Sequence, residues 1–188
     1  MSERPRLGII VGSVREGRVG APVSDWFLQQ ARQHGGFEVS LLDLKVIDLP
    51  LLSEPNHPRF RKYTHEKTRE WSATVDALDA FVLVTPEYNY CAPPALINAL
   101  DHLYHEWSYK AVGVVSYGGI SGGLRGAQVT RQFVTTFKMV PIVEAVAIPF
   151  VAKLVHDGRF TGGESFEKSA ADMLDELVRW TKALASLR

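Results

Sequence analysis

Residues 7–20 (LGIIVGSVREGRVG) decide the fold. The first five, 7–11, are an uninterrupted apolar run, which is the pattern of a strand buried on both faces. The following loop carries Arg15 and Arg18 among small residues, and helical periodicity begins at about Val19. Small residues let backbone N–H groups approach an anion, and arginine adds forked donors near the start of a helix. The stretch therefore predicts a strand, a phosphate-binding loop and a helix.

Two well-known nucleotide motifs do not match this loop. The spacing from Gly12 to Gly17 is that of a P-loop's first half, but Arg18 and Val19 replace the required Lys and Ser or Thr. The dinucleotide fingerprint G-x-G-x-x-G is also absent. Taken alone, the loop has an alternative interpretation as an ordinary strand-to-helix turn with two solvated arginines.

The composition is that of a globular protein of one domain, residues 1–188, of which 46% are hydrophobic and 22% charged. Lys plus Arg and Asp plus Glu both number 21, so no bulk charge favours nucleic acid or a membrane as a partner. The N-terminus lacks the apolar stretch of a secretory signal, and no apolar run approaches the ~18 residues of a membrane helix. The single cysteine, Cys91, excludes an intrachain disulfide. These features predict a cytoplasmic protein.

Strand-like and helix-like apolar patterns alternate along the rest of the chain. Further strands are predicted at 37–42, 80–84, 111–116 and 141–148, and further helices at 64–78, from 93, at 124–139 and from 165. The proline-rich segment 49–64 is predicted to be a loop, and Asp43 a turn or capping residue rather than a ribose-binding acid. Five strands alternating with five helices predict a doubly wound α/β sheet with helices on both faces.

In such a sheet, ligands bind beyond the carboxyl ends of the strands, where the strand order reverses. For the order 2-1-3-4-5 this point lies between strands 1 and 3, where flavodoxin binds FMN. Three unusual loops converge there: 12–20, 86–92 and 116–123.

Each loop suits one part of a flavin mononucleotide. The first suits the phosphate. In the second, Tyr88 is placed to flank a flat ring and Asn89 to hydrogen-bond its polar edge. In the third, Gly118 and Gly119 lack Cβ, so their backbone N–H groups can approach a planar ligand closely. Together they predict an FMN site, although the second and third loops are also compatible with an ordinary turn and a flexible loop.

Other reactive side chains are interpreted as structural. Cys91 has no obvious activating base nearby and is predicted to be a buried or half-buried spectator. His102 and His105, three apart on a helix, are predicted to be surface histidines rather than metal ligands. We expect no metal and no catalytic side chain.

The segments GSVREGR, TPEYN followed by NALD, and SYGGISGG resemble the NADPH-dependent FMN reductase family, which includes azo-dye, quinone and chromate reductases. The resemblance spans about residues 7–148. It implies a flavodoxin-like fold, bound FMN, NADPH or NADH as co-substrate, a small-molecule electron acceptor and a homodimer or homotetramer. The implied phosphate contacts are Ser13, Arg15 and Arg18; the implied isoalloxazine contacts are Pro86, Glu87, Tyr88, Asn89, Ser116, Tyr117, Gly118 and Gly119.

Two positions depart from the family pattern. Ile97 replaces a common Lys, which puts one polar contact in doubt, and Cys91 replaces a smaller residue or His, which affects what the pocket accepts. Two other functions compete with the reductase. A flavin-binding electron carrier is expected to show a strongly acidic docking face. The equal numbers of acidic and basic residues do not suggest such a face. A receiver-like domain needs acids at the strand ends, where Gly12 and Thr85 stand instead.

Self-association is also predicted. The segment 102–107, taken as the exposed end of a helix, carries Tyr104 and Trp107, and the loop 49–64 carries Phe60 and Tyr63. Large aromatic side chains of this kind are enriched in interface cores.

Overall fold

A computed structural model describes residues 4–188 and contains a five-stranded parallel sheet of order β2-β1-β3-β4-β5. This is the predicted flavodoxin-like topology, and the prediction is confirmed. The strands are β1 Arg6–Val11, β2 Glu38–Asp43, β3 Ala80–Pro86, β4 Ala111–Tyr117 and β5 Val140–Ile148. The helices are α1 Gly20–His34, α2 Leu44–Ile47, α3 Glu66–Asp76, α4 Pro94–Asp101, α5 Leu124–Thr135 and α6 Glu164–Leu184.

Helices cover both faces of the sheet because successive strand side chains point to opposite sides. On β1, Leu7 and Ile9 pack with the apolar residues of α1 and α6, whereas Ile10 packs with those of α3 and α4. All three side chains are fully buried. Burial on both faces explains why the strands are continuous apolar runs without alternation. The stacking places the loops after β1, β3 and β4 at one edge.

The proline-rich loop 49–64 is held by α4. The Pro50 carbonyl accepts hydrogen bonds from Asn98 Nδ2 at 2.8 Å and from His102 Nε2 at 3.0 Å. The prediction of a surface histidine at 102 is therefore wrong: the ring is 1% exposed, and its Nδ1 lies 3.2 Å from the Thr68 hydroxyl. The cause is that this face of α4 packs against α3 and the loop. Within residues 4–188, no group of three or more His, Cys, Asp or Glu is arranged to hold a metal ion.

Trp107 is also buried, contrary to the expectation of an exposed aromatic. Helix α4 ends at Asp101, and a 3₁₀ turn at His105–Trp107 directs the indole into the core. The ring packs edge-on against Phe81 at 5.0 Å and Trp71 at 6.0 Å between centroids. Trp107 is therefore not available to an interface.

The segment after β5, which has no clear sequence pattern, forms a 3₁₀ turn at Val151–Lys153 and a short antiparallel hairpin, β6 Val155–His156 and β7 Arg159–Phe160. Phe160 packs edge-on against Trp26 of α1 at 5.0 Å and so attaches the hairpin to that face. None of the helices described in residues 4–188 has the length and apolarity needed to cross a bilayer.

Candidate functional site

Most of the backbone N–H groups in the loop 12–20, which follows β1, make no hydrogen bond within the described residues. Gly12 N–H still donates to Val84 O of β3 at 2.9 Å. From Ser13 to Gly17, no backbone N–H donates a hydrogen bond to any group of residues 4–188. Helix α1 then begins at Gly20 with no acidic residue in its first turn. Unpaired amides beside an uncompensated helix N-terminus form a concavity suited to an anion.

The two arginines of this loop have different environments. The Arg15 side chain is exposed, makes no ion pair within the described chain, and lies with its Cζ 5.6 Å from the centre of the Tyr88 ring. Arg18 forks onto the Asp43 carboxylate and donates to the Ser13 carbonyl. Asp43 in turn accepts from Lys45 N at 3.0 Å and caps α2, so the predicted capping role is confirmed.

Two tyrosines meet the loop from neighbouring strands. The Tyr88 and Ser13 hydroxyls share a hydrogen bond of 2.8 Å. The Tyr117 hydroxyl is buried against Gly20, where a Cβ would overlap it, and has no hydrogen-bond partner among the described residues. Burial raises the pKa of the Tyr117 hydroxyl, so it stays protonated and can donate. An orphaned buried donor needs an acceptor, and a phosphate oxygen in the loop would satisfy it.

The loop after β3 makes a two-residue hairpin turn. Tyr88 N donates to Cys91 O at 2.8 Å, and Cys91 N donates to Tyr88 O at 3.0 Å. The central residues, Asn89 and Tyr90, have φ of +52° and +68°. Asn tolerates this region, whereas Tyr is strained there. The Asn89 side chain is exposed at this turn. The Cζ atom of Arg125 lies 4.4 Å from the centre of the Tyr90 ring. Cys91 is half-buried.

Glu87 faces helix α5. Its carboxylate accepts from Ser121 Oγ at 3.2 Å, from Arg125 N and Nε at 3.0 Å, and from Gly126 N at 3.2 Å. Burial acts to raise the Glu87 pKa, but the Gly126 N–H, the Arg125 charge and the other donors hold it below its ordinary value. Glu87 thus caps α5 and ties the second loop to the third. Its backbone N–H is also used, donating to Tyr117 O at 3.3 Å.

The glycines of the third loop differ in their hydrogen bonds and in their backbone conformations. The Gly118 N–H donates to Ile148 O at 3.2 Å, whereas Gly119 is exposed and its N–H has no partner in the described chain. Gly122 and Gly123 have φ of +60° and +81°, and a Cβ at Gly123 would lie 2.8 Å from the Tyr117 backbone. The requirement for glycine is therefore strictest at 122 and 123. Ser116 Oγ is used inside the loop, donating to Gly122 O at 2.8 Å.

These observations fit FMN. The first loop offers unpaired amides and an uncommitted arginine for a phosphate, and Tyr117 at the end of β4 adds an orphaned hydroxyl beside it. The adjoining edge offers Asn89 and the Gly119 N–H for the polar rim of a ring. The sequence patterns located all three loops, but not the roles of Glu87 and Asp43, which act as loop ties. Their partners are 39 and 25 residues distant, and no local pattern reports such a contact.

Comparison with known proteins identifies a family and related folds. The family model described as NADPH-dependent FMN reductase matches residues 5–153. An NAD(P)H-dependent FMN reductase of Schizosaccharomyces pombe is 32% identical over 98% of this chain and 86% of its own length. A quinone reductase of Pseudomonas putida is 31% identical over 70% of each chain. The structure of FerB, an NAD(P)H:(acceptor) oxidoreductase from Paracoccus denitrificans, superposes with a TM-score of 0.76 over 95% of this chain and 98% of its own, at 20% identity.

Proposed function

The chain belongs to the NADPH-dependent FMN reductase family, and from this premise we propose a ping-pong cycle in which NAD(P)H leaves before a small-molecule acceptor enters. The coarser activity follows from membership: the protein is an FMN-dependent NAD(P)H oxidoreductase. When bound, FMN supplies the chemistry, taking a hydride from the nicotinamide and passing two electrons on. The protein binds the flavin and orients it relative to the nicotinamide and the acceptor.

The observation that carries the proposal is the donor set of the loop 12–20. We assign the phosphate to Ser13, Arg15 and Arg18, to the unpaired backbone N–H groups between them, and to the Tyr117 hydroxyl. Arg18 has five N–H donors, of which three are used on Asp43 and Ser13, so two remain. A single phosphate group suits one such loop, which favours FMN over FAD.

The ring is assigned to the edges of the other two loops. Pro86 and the Glu87 backbone form the floor, and Tyr88 and Asn89 flank it. Ser116, Tyr117 and Gly118 support the loop that presents the Gly119 N–H to the polar edge. No side chain projects from Gly119, so this face is open to a flat second molecule. We propose that the nicotinamide and then the acceptor, a quinone, azo compound or free flavin, use this open face in turn.

Anaerobic spectroscopy tests the function. Apo-protein mixed with equal FMN and FAD should retain FMN, and NADPH should then bleach the flavin at about 1 s⁻¹ or faster. Adding a quinone should restore the colour, and steady-state plots should be parallel lines. If dithionite reduces the bound flavin while NADPH and NADH do not within minutes, the protein is an electron carrier instead. Retention of no flavin would contradict the cofactor assignment.

We also propose that the protein is at least a dimer. Leu51 and Phe60 project from the loop 49–64 with 80% and 66% of their surface exposed. Each lies next to a fixed backbone carbonyl: α4 holds Pro50 O, and His105 Nε2 lies 2.9 Å from Arg59 O. Exposed apolar side chains on an anchored backbone are of the kind that interfaces bury. Sedimentation at micromolar concentration should give at least twice the monomer mass of 20.9 kDa. Replacing both with Ser should yield the monomer, and a wild-type monomer would contradict the proposal.

A cytoplasmic location accords with an intracellular reductant.

A further inference from the structure

Asp43 makes a close ion pair with an arginine of the phosphate loop. Arg18 Nη1 donates to Asp43 Oδ1 at 2.7 Å, and Nη2 donates to Oδ2. The two side chains are only 11% and 21% exposed. A forked, largely buried guanidinium–carboxylate pair has a defined geometry, unlike an exposed pair between flexible side chains.

The same guanidinium also holds the backbone where the loop leaves β1. Arg18 Nη1 donates to the Ser13 carbonyl. In a trans peptide the C=O and the following N–H point in opposite directions, so holding this carbonyl aims the Val14 N–H away from Arg18. The Ser13 hydroxyl is independently held by Tyr88 at 2.8 Å. Arg18 thus sets the direction of one amide of the anion concavity.

Asp43 is a firm anchor for that guanidinium. It is the last residue of β2, and its Cα pairs in register with Val11, the last residue of β1. Its Oδ1 also accepts from Lys45 N at 3.0 Å, which fixes the carboxylate on the first turn of α2. The loop is therefore attached through Arg18 to the end of the neighbouring strand.

We propose that Asp43 is a positioning residue for the flavin phosphate, acting through Arg18; the inference rests on the proposed FMN site. Its carboxylate orients Arg18, and Arg18 orients the Ser13–Val14 peptide so that the Val14 N–H faces the anion concavity. Ordering this donor before binding reduces the entropy lost when the ligand arrives. The role runs against simple electrostatics, because a carboxylate near a phosphate repels it.

Positioning of Arg18 by Asp43 strengthens FMN binding, whereas repulsion between the Asp43 carboxylate and the phosphate weakens it. One substitution at Asp43 therefore shows which effect is larger. Asp43→Asn keeps a good N-cap for α2 but removes the charged acceptor that Arg18 forks onto. If Asp43 positions the loop, FMN should bind about 10-fold more weakly or worse. Riboflavin, which lacks the phosphate, should bind as it does to wild type. Quenching of flavin fluorescence on titration with apo-protein measures both affinities.

A matched control makes the same chemical change nearby. Asp48 follows α2, is exposed, and has φ of +52°, which Asn tolerates equally well. Asp48→Asn removes one negative charge without touching Arg18, so FMN affinity should stay equal or rise slightly. In an Arg18→Met background, Asp43→Asn should cause no further loss, because the positioning acts through the missing guanidinium.

Several outcomes would overturn the inference. Equal or tighter FMN binding by Asp43→Asn would show that the carboxylate is only a repelling counter-charge. An equal loss for FMN and riboflavin would show a general structural role. A full additional loss in the Arg18→Met background would show that Asp43 acts by another route. Failure of the wild type to bind FMN would instead contradict the proposed function.

Discussion

Replacing Arg15 with alanine is expected to weaken FMN binding by about 10- to 100-fold. Arg15 is exposed above the Tyr88 ring and makes no ion pair in the described chain, so its charge is free for a phosphate. A charge-assisted hydrogen bond of this kind contributes roughly 1.5–3 kcal/mol. Arg15→Lys should also lose affinity, since an ammonium cannot present a planar fork. Fluorescence titration of apo-protein measures the dissociation constants.

Two controls make the Arg15 result specific. Arg32→Ala removes the same charge from an exposed position in the last turn of α1 and should leave FMN affinity unchanged. Riboflavin should bind the Arg15 variants as it binds the wild type. A loss for both flavins would place the effect at the Tyr88 ring. Unchanged FMN affinity in Arg15→Ala would return the loop to an ordinary turn with a solvated arginine.

Glu87→Gln is expected to lower the free energy of unfolding by about 2–3 kcal/mol. The carboxylate accepts from two backbone N–H groups at the start of α5, from Ser121 and from Arg125. An amide retains one carbonyl oxygen and turns its NH₂ toward donors, which leaves N–H groups unpaired. For a chain of this size the melting temperature should fall by about 4–12 °C. FMN affinity should also fall, because the second and third loops lose their tie.

The Glu87 effect should depend on pH. The folded-state pKa is lowered from the ordinary value of 4.5, so the ionised carboxylate stabilises the fold above that pH. The contribution is lost as the pH falls below about 4.5 through the folded-state pKa. Melting temperatures measured from neutral pH downward should therefore converge for wild type and Glu87→Gln.

Glu70→Gln is the matched control for Glu87→Gln. Glu70 is 60% exposed and pairs with Lys67 at 3.9 Å, so its replacement should change the unfolding free energy by about 0.5 kcal/mol or less. A melting temperature of Glu87→Gln equal to that of this control would contradict the capping role. A constant difference between Glu87→Gln and wild type down to acid pH would contradict the assigned pKa.

Much of the architecture could be predicted because its signals are local. The apolar run of β1, the Gly35 that ends α1 with φ of +71°, and the Pro93–Pro94 pair at the start of α4 each act within a few residues. Strand and helix order then restricts the sheet to few topologies, and the carboxyl edge is the place for a ligand. Burial was misjudged at His102, which α3 and the loop 49–64 cover, and at Trp107, which a 3₁₀ turn after α4 directs into the core.

The sequence by itself determined the order of the five sheet strands and the five longer helices, the three loops at the ligand edge and the family. The short helix α2 and the hairpin β6–β7 appear only in the structure. Only the tertiary structure decided which atoms of those loops remain free. In the folded chain, the Glu87 carboxylate accepts hydrogen bonds from α5 and Arg18 donates two hydrogen bonds to Asp43. The Tyr117 hydroxyl has no partner among the described residues. The physical reason is range: backbone conformation depends on neighbouring residues, whereas a side-chain hydrogen bond depends on which distant strand ends the fold brings within about 3 Å.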